Sequence, residues 1–408
     1  MDGKNLNLLI TDVIAEMSSA GFAKGTQRIY NDVFKRLQLL AKSRAQTVYT
    51  SELGEVFIND NAYSKGGQYC HSRFCLHSRC IQFLESLLNT GSIDWSINKH
   101  YPAYKFKSEA IAKAYDHAFC IMTEKNLKPN TIDGYLRFIR YFLQYLEARG
   151  YQSMNEIQRG NIIEFITLVC TEHYQPTSLG AHITGLKLLL ESDKYTSTFI
   201  VEIPERLLKK RTILEVYSDD EYEKIKEYLT TTNHLSYRNR ALCILALETG
   251  LRAVDICNLK ISDIDWEHDC ISIVQEKTSK HLRIPLSESI GNALVDYLLS
   301  ERPNSTSDYV FLRNTAPYLP IITHSGCRNI LRGIITDAGI EDNGRIYGTR
   351  ITRHSTASRM LRHGIPLPVI AEALGHNNQN STMIYITTDD AKLAECTLPL
   401  PKKKVQSR

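Results

Sequence analysis

No stretch of this chain approaches the roughly 20 uninterrupted apolar residues that a membrane-spanning helix requires, so no membrane role is expected. The opening segment MDGKNLNLLITDVIAEM carries acids among its apolar residues and lacks a basic start, a long apolar run and a small-residue cleavage site. Nothing there marks the chain for secretion, and a cytoplasmic location is expected. Ten cysteines occur without paired short spacings, which reads as reduced thiols rather than a disulfide framework. GxxxxGK[ST], HExxH and GxGxxG are absent, so nucleotide-dependent and zinc-protease chemistries lose their usual sequence warrant. A strong charge excess is also missing. With 49 Lys+Arg against 45 Asp+Glu, the net charge of +4 is compatible with a polyanionic partner without arguing for one, because phosphate binding depends on where cations cluster.

What is present is an ordinary globular composition, 43% hydrophobic and 23% charged, over 408 residues. That length predicts two or three domains rather than one core. The first two hundred residues read as helical and contain what looks like one unit twice. Met17–Tyr30 aligns with Met122–Tyr135 at an offset of 105, and FLES at 83–86 meets LLES at 189–192 at an offset of 106. In the second unit Tyr135, Phe138, Ile139, Phe142 and Leu146 recur at helical spacing and predict one apolar face, with Arg137, Arg140 and Gln144 opposite. A linker is expected from about Lys194 to Val216, centred on 201–212, with the basic cluster Lys209, Lys210 and Arg211. Ser218 and Glu221 then form a capping box that opens a new domain.

From Arg238 to Leu251 the pattern predicts a buried helix ended by Gly250. Short β-rich runs follow, broken at Glu267-His268-Asp269 and at Thr278-Ser279-Lys280. They predict a three-stranded antiparallel meander with Lys277 near its second turn. Helices are expected again over 289–299, 323–338, 351–362 and 367–374.

Four segments carry chemistry when taken in order: ETGLRAVDI (248–256), VQEKTSK (274–280), TRITRHSTASRML (349–361) and ALGHNNQNSTMIY (373–385). Together they resemble the tyrosine recombinase, or phage integrase, family in its spaced pattern of Arg, hairpin Lys, H-x-x-R-H, L-G-H and a Tyr nine residues later. The resemblance implies a mainly α fold with a small antiparallel β-sheet. Its parts would be an arm-like helical domain over 1–100, a helical core DNA-binding domain over 105–200, an α+β catalytic domain over 213–393 and a basic tail over 394–408. It further implies a Tyr385 nucleophile, with Arg252 and Arg353 gripping the phosphate and Lys277 as general acid. His376 would donate to a phosphate oxygen, and Asp255, three residues after Arg252, would orient that arginine. Arginine suits the phosphate task because its planar fork stays charged and holds two oxygens. Lys280, on the same turn, is the rival to Lys277. An arginine-rich pocket is expected to favour the phenolate of Tyr385.

The chain departs from the family pattern at one place: position 350 is Arg where the family has His, giving Arg350-Ile-Thr-Arg353-His354. An arginine does not act as a base, although it still donates hydrogen bonds to phosphate. His354 has two readings, a core histidine bonded to backbone or an orienter of the site. The resemblance implies no cofactor and no metal, since bond energy is kept in the phosphotyrosine. It implies double-stranded DNA with short inverted-repeat core sites as partner, a tetramer on paired sites, accessory bending or directionality proteins, and a bacterial or phage setting. The extra N-terminal copy points to integration and excision of a mobile element. A type IB topoisomerase-like relaxing enzyme and a catalytically impaired DNA-binding protein are the alternatives. Cys70, His71, Cys75, His77 and Cys80 cluster as if for zinc, but on a continuous helix their directions diverge, and a packed helix is expected. Pro401-Lys-Lys-Lys404 resembles a nuclear import signal and reads better as a solvated charge run.

Overall fold

The computed structural model describes residues 4–60, 62–63, 68–95, 106–172, 174, 176–204, 214–321, 324–341, 348–377 and 380–385. The chain divides into two compact units, one of Met1–His100 with Ile213–Arg408 and one of Tyr101–Thr212. The first hundred residues are helices α1 (Leu6–Ser19), α2 (Lys24–Ser43), α3 (Ser51–Asn59) and α4 (His71–Thr90), with a short ladder of β1 (Ala62–Tyr63) and β2 (Gln68–Tyr69) that the sequence did not announce. The Tyr101–Thr212 unit contains α5 (Glu109–Glu124), α6 (Pro129–Ala148), α7 (Asn161–Glu172), α8 (Pro176–Glu191) and α9 (Lys194–Ser197). Phe138, Ile139, Phe142 and Leu146 are fully buried on one face of α6, and exposed Arg137 pairs with Asp133 across the helix surface.

The repeat at offset 105 is visible in the turns. Four helices of these two stretches, two in each, end in a left-handed cap in which the residue two past the helix cap donates back to the third-last carbonyl. Phe22 donates to Met17 and Leu127 to Met122, and Gln46 donates to Ala41 as Tyr151 does to Leu146. The left-handed residues are Gly21 and Asn126 in the first pair, Ala45 and Gly150 in the second. Each aligned pair therefore lies 105 residues apart, and Met17 and Met122 occupy the same apolar position beneath the turn. The two helical stretches share one plan.

The expected linker is shorter than its sequence suggested. Asp193 caps α9 by accepting from Tyr195 and Thr196, a 3-10 turn continues over Thr198–Glu202, and Ile203 is buried. Residues 194–203 thus belong to the helical unit, because a capped turn followed by an apolar anchor is better packed than extended. Lys209, Lys210, Arg211 and the tail from 394 lie outside the described residues. The cysteine- and histidine-rich segment is one continuous helix: Cys80 and His77 are fully buried, and His77 Nδ1 bonds the Phe57 carbonyl at 2.9 Å.

The C-terminal part opens with α10 (Asp219–Thr231), capped by Ser218 and Glu221 in the reciprocal pattern. Helix α11 (Tyr237–Thr249) follows, buried on several sides and ended by Gly250 at φ +62°. Beyond it lie α12 (Ala253–Cys257), β3 (Ile264–Asp265), β4 (Cys270–Val274), β5 (His281–Pro285), α13 (Glu288–Ser300), α14 (His324–Asp337), α15 (Thr349–Arg362), α16 (Leu367–Ala373) and α17 (Asn380–Met383). The strands form the antiparallel meander β3-β4-β5, with Ile271 facing Ile284 and Val274 facing His281. Its inward residues Ile271, Ile273, Leu282 and Ile284 join the core built on α11, α13 and α14. The first hundred residues touch this part through the turn at 316–318, where Tyr318 lies over Gly21 and Ala316 joins the core of α1–α4.

The shared caps make a stability prediction. Ala45 holds a left-handed conformation that costs an L-residue about 1–2 kcal/mol, whereas Gly150 holds its equivalent with open space around it. Ala45→Gly should stabilise the protein by up to about 1 kcal/mol and Gly150→Ala should destabilise it by about 1 kcal/mol. Urea unfolding followed by circular dichroism measures both, and unchanged midpoints would contradict the capping assignment.

Candidate active site

Three glycines and a hairpin bring distant segments together. Gly250 turns the chain out of α11 so that Arg252 becomes the N-cap of α12. A Cβ on Gly250 would also press on Leu374 and Thr356 at 3.1 and 3.2 Å. Gly348 at φ +83° precedes α15, which carries Arg350, Arg353 and His354 at the i, i+3 and i+4 positions of one face. Gly375 at φ +65° ends α16 and delivers His376. The turn between β4 and β5 is closed by Gln275 N–H to the Lys280 carbonyl and Ser279 N–H to the Gln275 carbonyl, both at 2.8 Å.

Arg252, Lys277, Arg350, Arg353, His354, His376 and Tyr385 all line one pocket of about 910 Å³. Among the described residues no acid lines it. Asp255 lies beneath, 3% exposed, with one carboxylate oxygen accepting from the Glu276 N–H at 3.0 Å and the other 3.9 Å from Arg252 Nη1. It therefore braces the hairpin backbone and touches Arg252 only as a long ion pair. Burial raises its carboxyl above the ordinary range, against the pull of the Glu276 N–H, Arg252 and Arg353.

The cations are held by neutral acceptors. Arg353, 7% exposed, donates to the Gly250 carbonyl at 3.0 Å and the Leu374 carbonyl at 2.6 Å, and bonds the Tyr385 side chain. Arg252 donates to Gln275 Oε1 at 3.0 Å. The two lysines are separated: Lys280 donates to the His376 carbonyl and faces a neighbouring groove, whereas exposed Lys277 faces the pocket. Thr349 Oγ1 accepts from Ala253 N–H at 2.9 Å, tying the start of α15 to the start of α12.

Burial, and then the crowding of like charges, shifts the titratable groups. Burial, then Arg252, pushes Arg353 down to about 10, which leaves it charged at neutral pH. His354 falls to about 4 through burial, Arg350 and Arg353, and His376 falls to about 4 through burial, Arg353 and Arg252. Both imidazoles are neutral at pH 7. His354 combines its two expected readings, since it bonds backbone at Glu215 and sets its ring edge-on to Tyr385 at 5.8 Å. Tyr385 corrects an expectation. Arg353, Arg252 and Arg350 do favour its phenolate, but burial outweighs them and raises the phenol above its ordinary value in the free protein. A ring 3% exposed loses more hydration than three nearby guanidinium groups restore.

Sequence reasoning passed over Gln275, Thr349 and Thr382. Thr382 is fully buried with Oγ1 2.8 Å from His376 Nδ1, so a hydroxyl that donates there leaves Nε2–H free as a donor. For Gln275 a signal existed: the period of two that puts Ile271 and Ile273 inward also puts Gln275 inward, a polar residue on a core face. In chemical terms the pocket is a cation-lined recess with a phenol at its wall, suited to an oxyanion such as a phosphodiester.

The imidazoles give a test that is independent of activity. Folded values near 4 lie below the unfolded value near 6.5, so the unfolded chain binds more protons between these limits and stability is lost as pH falls through that window. NMR titration should find His354 and His376 neutral down to about pH 5, and Arg252→Gln should raise the His376 value. Titration near 6.5 in the intact protein would contradict this electrostatic picture.

Comparisons with known proteins bear on the same residues. The family model described as Phage integrase family matches residues 215–392. Tyrosine recombinase XerD of Listeria monocytogenes serotype 4b (strain F2365) is 28% identical over 290 residues, covering 69% of this chain and 95% of that protein. Putative integrase/recombinase y4gC of Sinorhizobium fredii (strain NBRC 101917 / NGR234) is 34% identical over 170 residues, 42% of this chain and 86% of that protein. Among solved structures, the XerH site-specific recombinase bound to palindromic difH substrate, a post-cleavage complex, shares the fold with a TM-score of 0.53 at 21% identity. That match covers 68% of this chain and 81% of that one.

Proposed function

Because the chain belongs to the phage integrase family of tyrosine recombinases and is a site-specific recombinase, we propose that Tyr385 is the nucleophile that cuts and rejoins DNA through a 3′-phosphotyrosine bond. The observation that carries this reading is the Tyr385 side chain bonded to Arg353 in the pocket that Arg252, Lys277, Arg350 and His376 also line. A scissile phosphate entering this pocket supplies the negative charge that the cations lack. The Tyr385 oxygen forms a bond to phosphorus, the bond to the 5′ oxygen breaks, and the phenol proton passes to solvent water. Charge that builds on the phosphoryl oxygens is met by Arg252, Arg353, Arg350 and the Nε2–H of His376. Lys277, free of the backbone contact that occupies Lys280, protonates the departing 5′ oxygen. Reversal by a 5′ hydroxyl from another strand completes transfer without nucleotide or metal.

The proposed substrate is double-stranded DNA with short inverted-repeat core sites, held by a tetramer on paired sites in the cytoplasm, with accessory proteins setting direction. The relative XerD is a tyrosine recombinase, and the XerH site-specific recombinase was solved on palindromic difH substrate. The arm-like role of residues 1–100, the core DNA-binding role of 105–200 and the catalytic role of 213–393 belong to this reading. So does the integration or excision of a mobile element, which the repeated N-terminal unit supports. The relaxing-enzyme and impaired-protein alternatives are not favoured, because the relatives that this chain spans over most of their length are a tyrosine recombinase and a putative integrase/recombinase. Among the described residues no helix is long and apolar enough to cross a membrane.

Footprinting on the DNA beside the encoding gene locates a working substrate. On that site Tyr385→Phe should bind as the parent does and form no denaturant-resistant adduct; an adduct in the variant removes Tyr385 from the role. Removing one preorganised donor to a developing oxyanion costs about 3–4 kcal/mol, roughly 100- to 1000-fold in rate. Arg252→Ala and Arg353→Ala should each slow cleavage by that order while binding changes far less. Equal losses in both would reassign them to DNA affinity.

Arg350 is exposed, lines the pocket and acts on Tyr385 through its charge. Arg350→Lys should therefore keep part of the cleavage rate and Arg350→Ala should lose most of it. An alanine variant that cleaves at the parent rate would place Arg350 outside the reaction.

A further inference from the structure

Gln275 is the first residue after β4, fully buried where its neighbour Val274 is 66% exposed. A carboxamide withdrawn from water without partners is costly, so its bonds define what it does. Oε1 accepts from Arg252 Nη1 at 3.0 Å and from Thr278 Oγ1 at 2.8 Å, and Nε2 donates to the Leu374 carbonyl at 3.2 Å. The orientation of the amide is fixed by chemistry: a guanidinium has no acceptor to offer and a carbonyl has no donor. The Leu374 carbonyl also accepts from Arg353. Against the other side lies Gly375, where a Cβ would come within 2.1 Å of Oε1. One amide thus joins the turn of Lys277 to Arg252, to the carbonyl that holds Arg353, and to the glycine that delivers His376.

We propose that Gln275 is a positioning residue for strand transfer, holding Arg252 toward the phosphate with a neutral acceptor so that the full charge of the guanidinium remains available. The inference rests on the phosphate-gripping role of Arg252 given above. A carboxylate at the same point would hold Arg252 as well or better, but it would cancel the charge that the phosphate needs and would lose the donor to Leu374. Neutrality, and not only hydrogen bonding, is the property at issue. Asp255, whose nearer oxygen stays 3.9 Å from Arg252, fits the same arrangement: this carboxylate is kept at arm's length.

The test uses the full chain and its own recombination site on a nicked duplex that traps the covalent product. Gln275→Glu, which keeps shape and acceptor, should slow cleavage about 10- to 100-fold with DNA affinity within about threefold of the parent, part of the effect of losing one donor outright. Gln275→Met, which keeps volume and loses the bonds, should slow cleavage in the parent but add little in an Arg252→Ala background, because residues acting through one another do not add. Parent-like cleavage by Gln275→Glu, or a Gln275→Met loss that adds in full to Arg252→Ala, overturns the proposal. Should Gln275→Met fail to fold, Gln275→Glu decides alone, with its melting temperature showing that the fold is intact. A failure of the underlying reading looks different, since Arg252→Ala itself would then cleave at the parent rate.

Discussion

The constraint on which the site depends is the need to hold several cations close together without neutralising them. Arg252, Arg350, Arg353 and Lys277 share a pocket that no acid lines among the described residues, and Lys280 lines the neighbouring groove. The protein meets their mutual repulsion with dipoles instead of carboxylates: the carbonyls of Gly250, Leu374 and His376 and the amide of Gln275. Neutral acceptors fix geometry while leaving the field of the cations undiminished, which is what preorganised stabilisation of an oxyanion requires. Burial, with the same field, keeps both imidazoles neutral at pH 7, so that His376 donates from Nε2 only when Nδ1 acts as an acceptor. Buried Thr382 sits at hydrogen-bond distance from that atom.

The fold serves this constraint through its turns. Carbonyls at the ends of helices are available as acceptors because no following turn consumes them. Gly250 terminates a buried helix in the left-handed region and turns its carbonyl to Arg353. The carbonyl of Leu374 at the end of α16 serves Arg353 and Gln275 together, and Gly375 gives the amide room. Tyr385 packs with Leu214, Ala357, Leu361, Ile370 and Leu374, so the phenol is held by an apolar cluster on one side and by guanidinium groups on the other. Its proton is retained in the free protein, and in our reading it leaves when a phosphate and the cations act on it together.

Local patterns were legible in the sequence. The capping box at Ser218, the left-handed stop at Gly250, the meander with Lys277 on its turn and the helix ranges after residue 288 each depend on a few neighbouring residues, and all are present. The gathering of Arg252, Lys277, Arg350, Arg353, His376 and Tyr385 into one pocket followed from family resemblance, since no local rule joins residues so far apart. What was missed is tertiary. Gln275 and Leu374 are 99 residues apart, and only the folded chain reveals that a single amide spans the motifs. The sign of the Tyr385 shift depends on burial, which composition does not supply. The segment 194–203 looked like a linker because its cap and its anchor Ile203 each mean little until they pack.

Mapping the covalent product tests the account most directly. After trapping on a nicked recombination site and protease digestion, mass spectrometry should find the nucleotide mass on the peptide that contains Tyr385, with fragmentation placing it on that phenol. A nucleotide adduct on any other residue, or none while strand exchange proceeds, would contradict it.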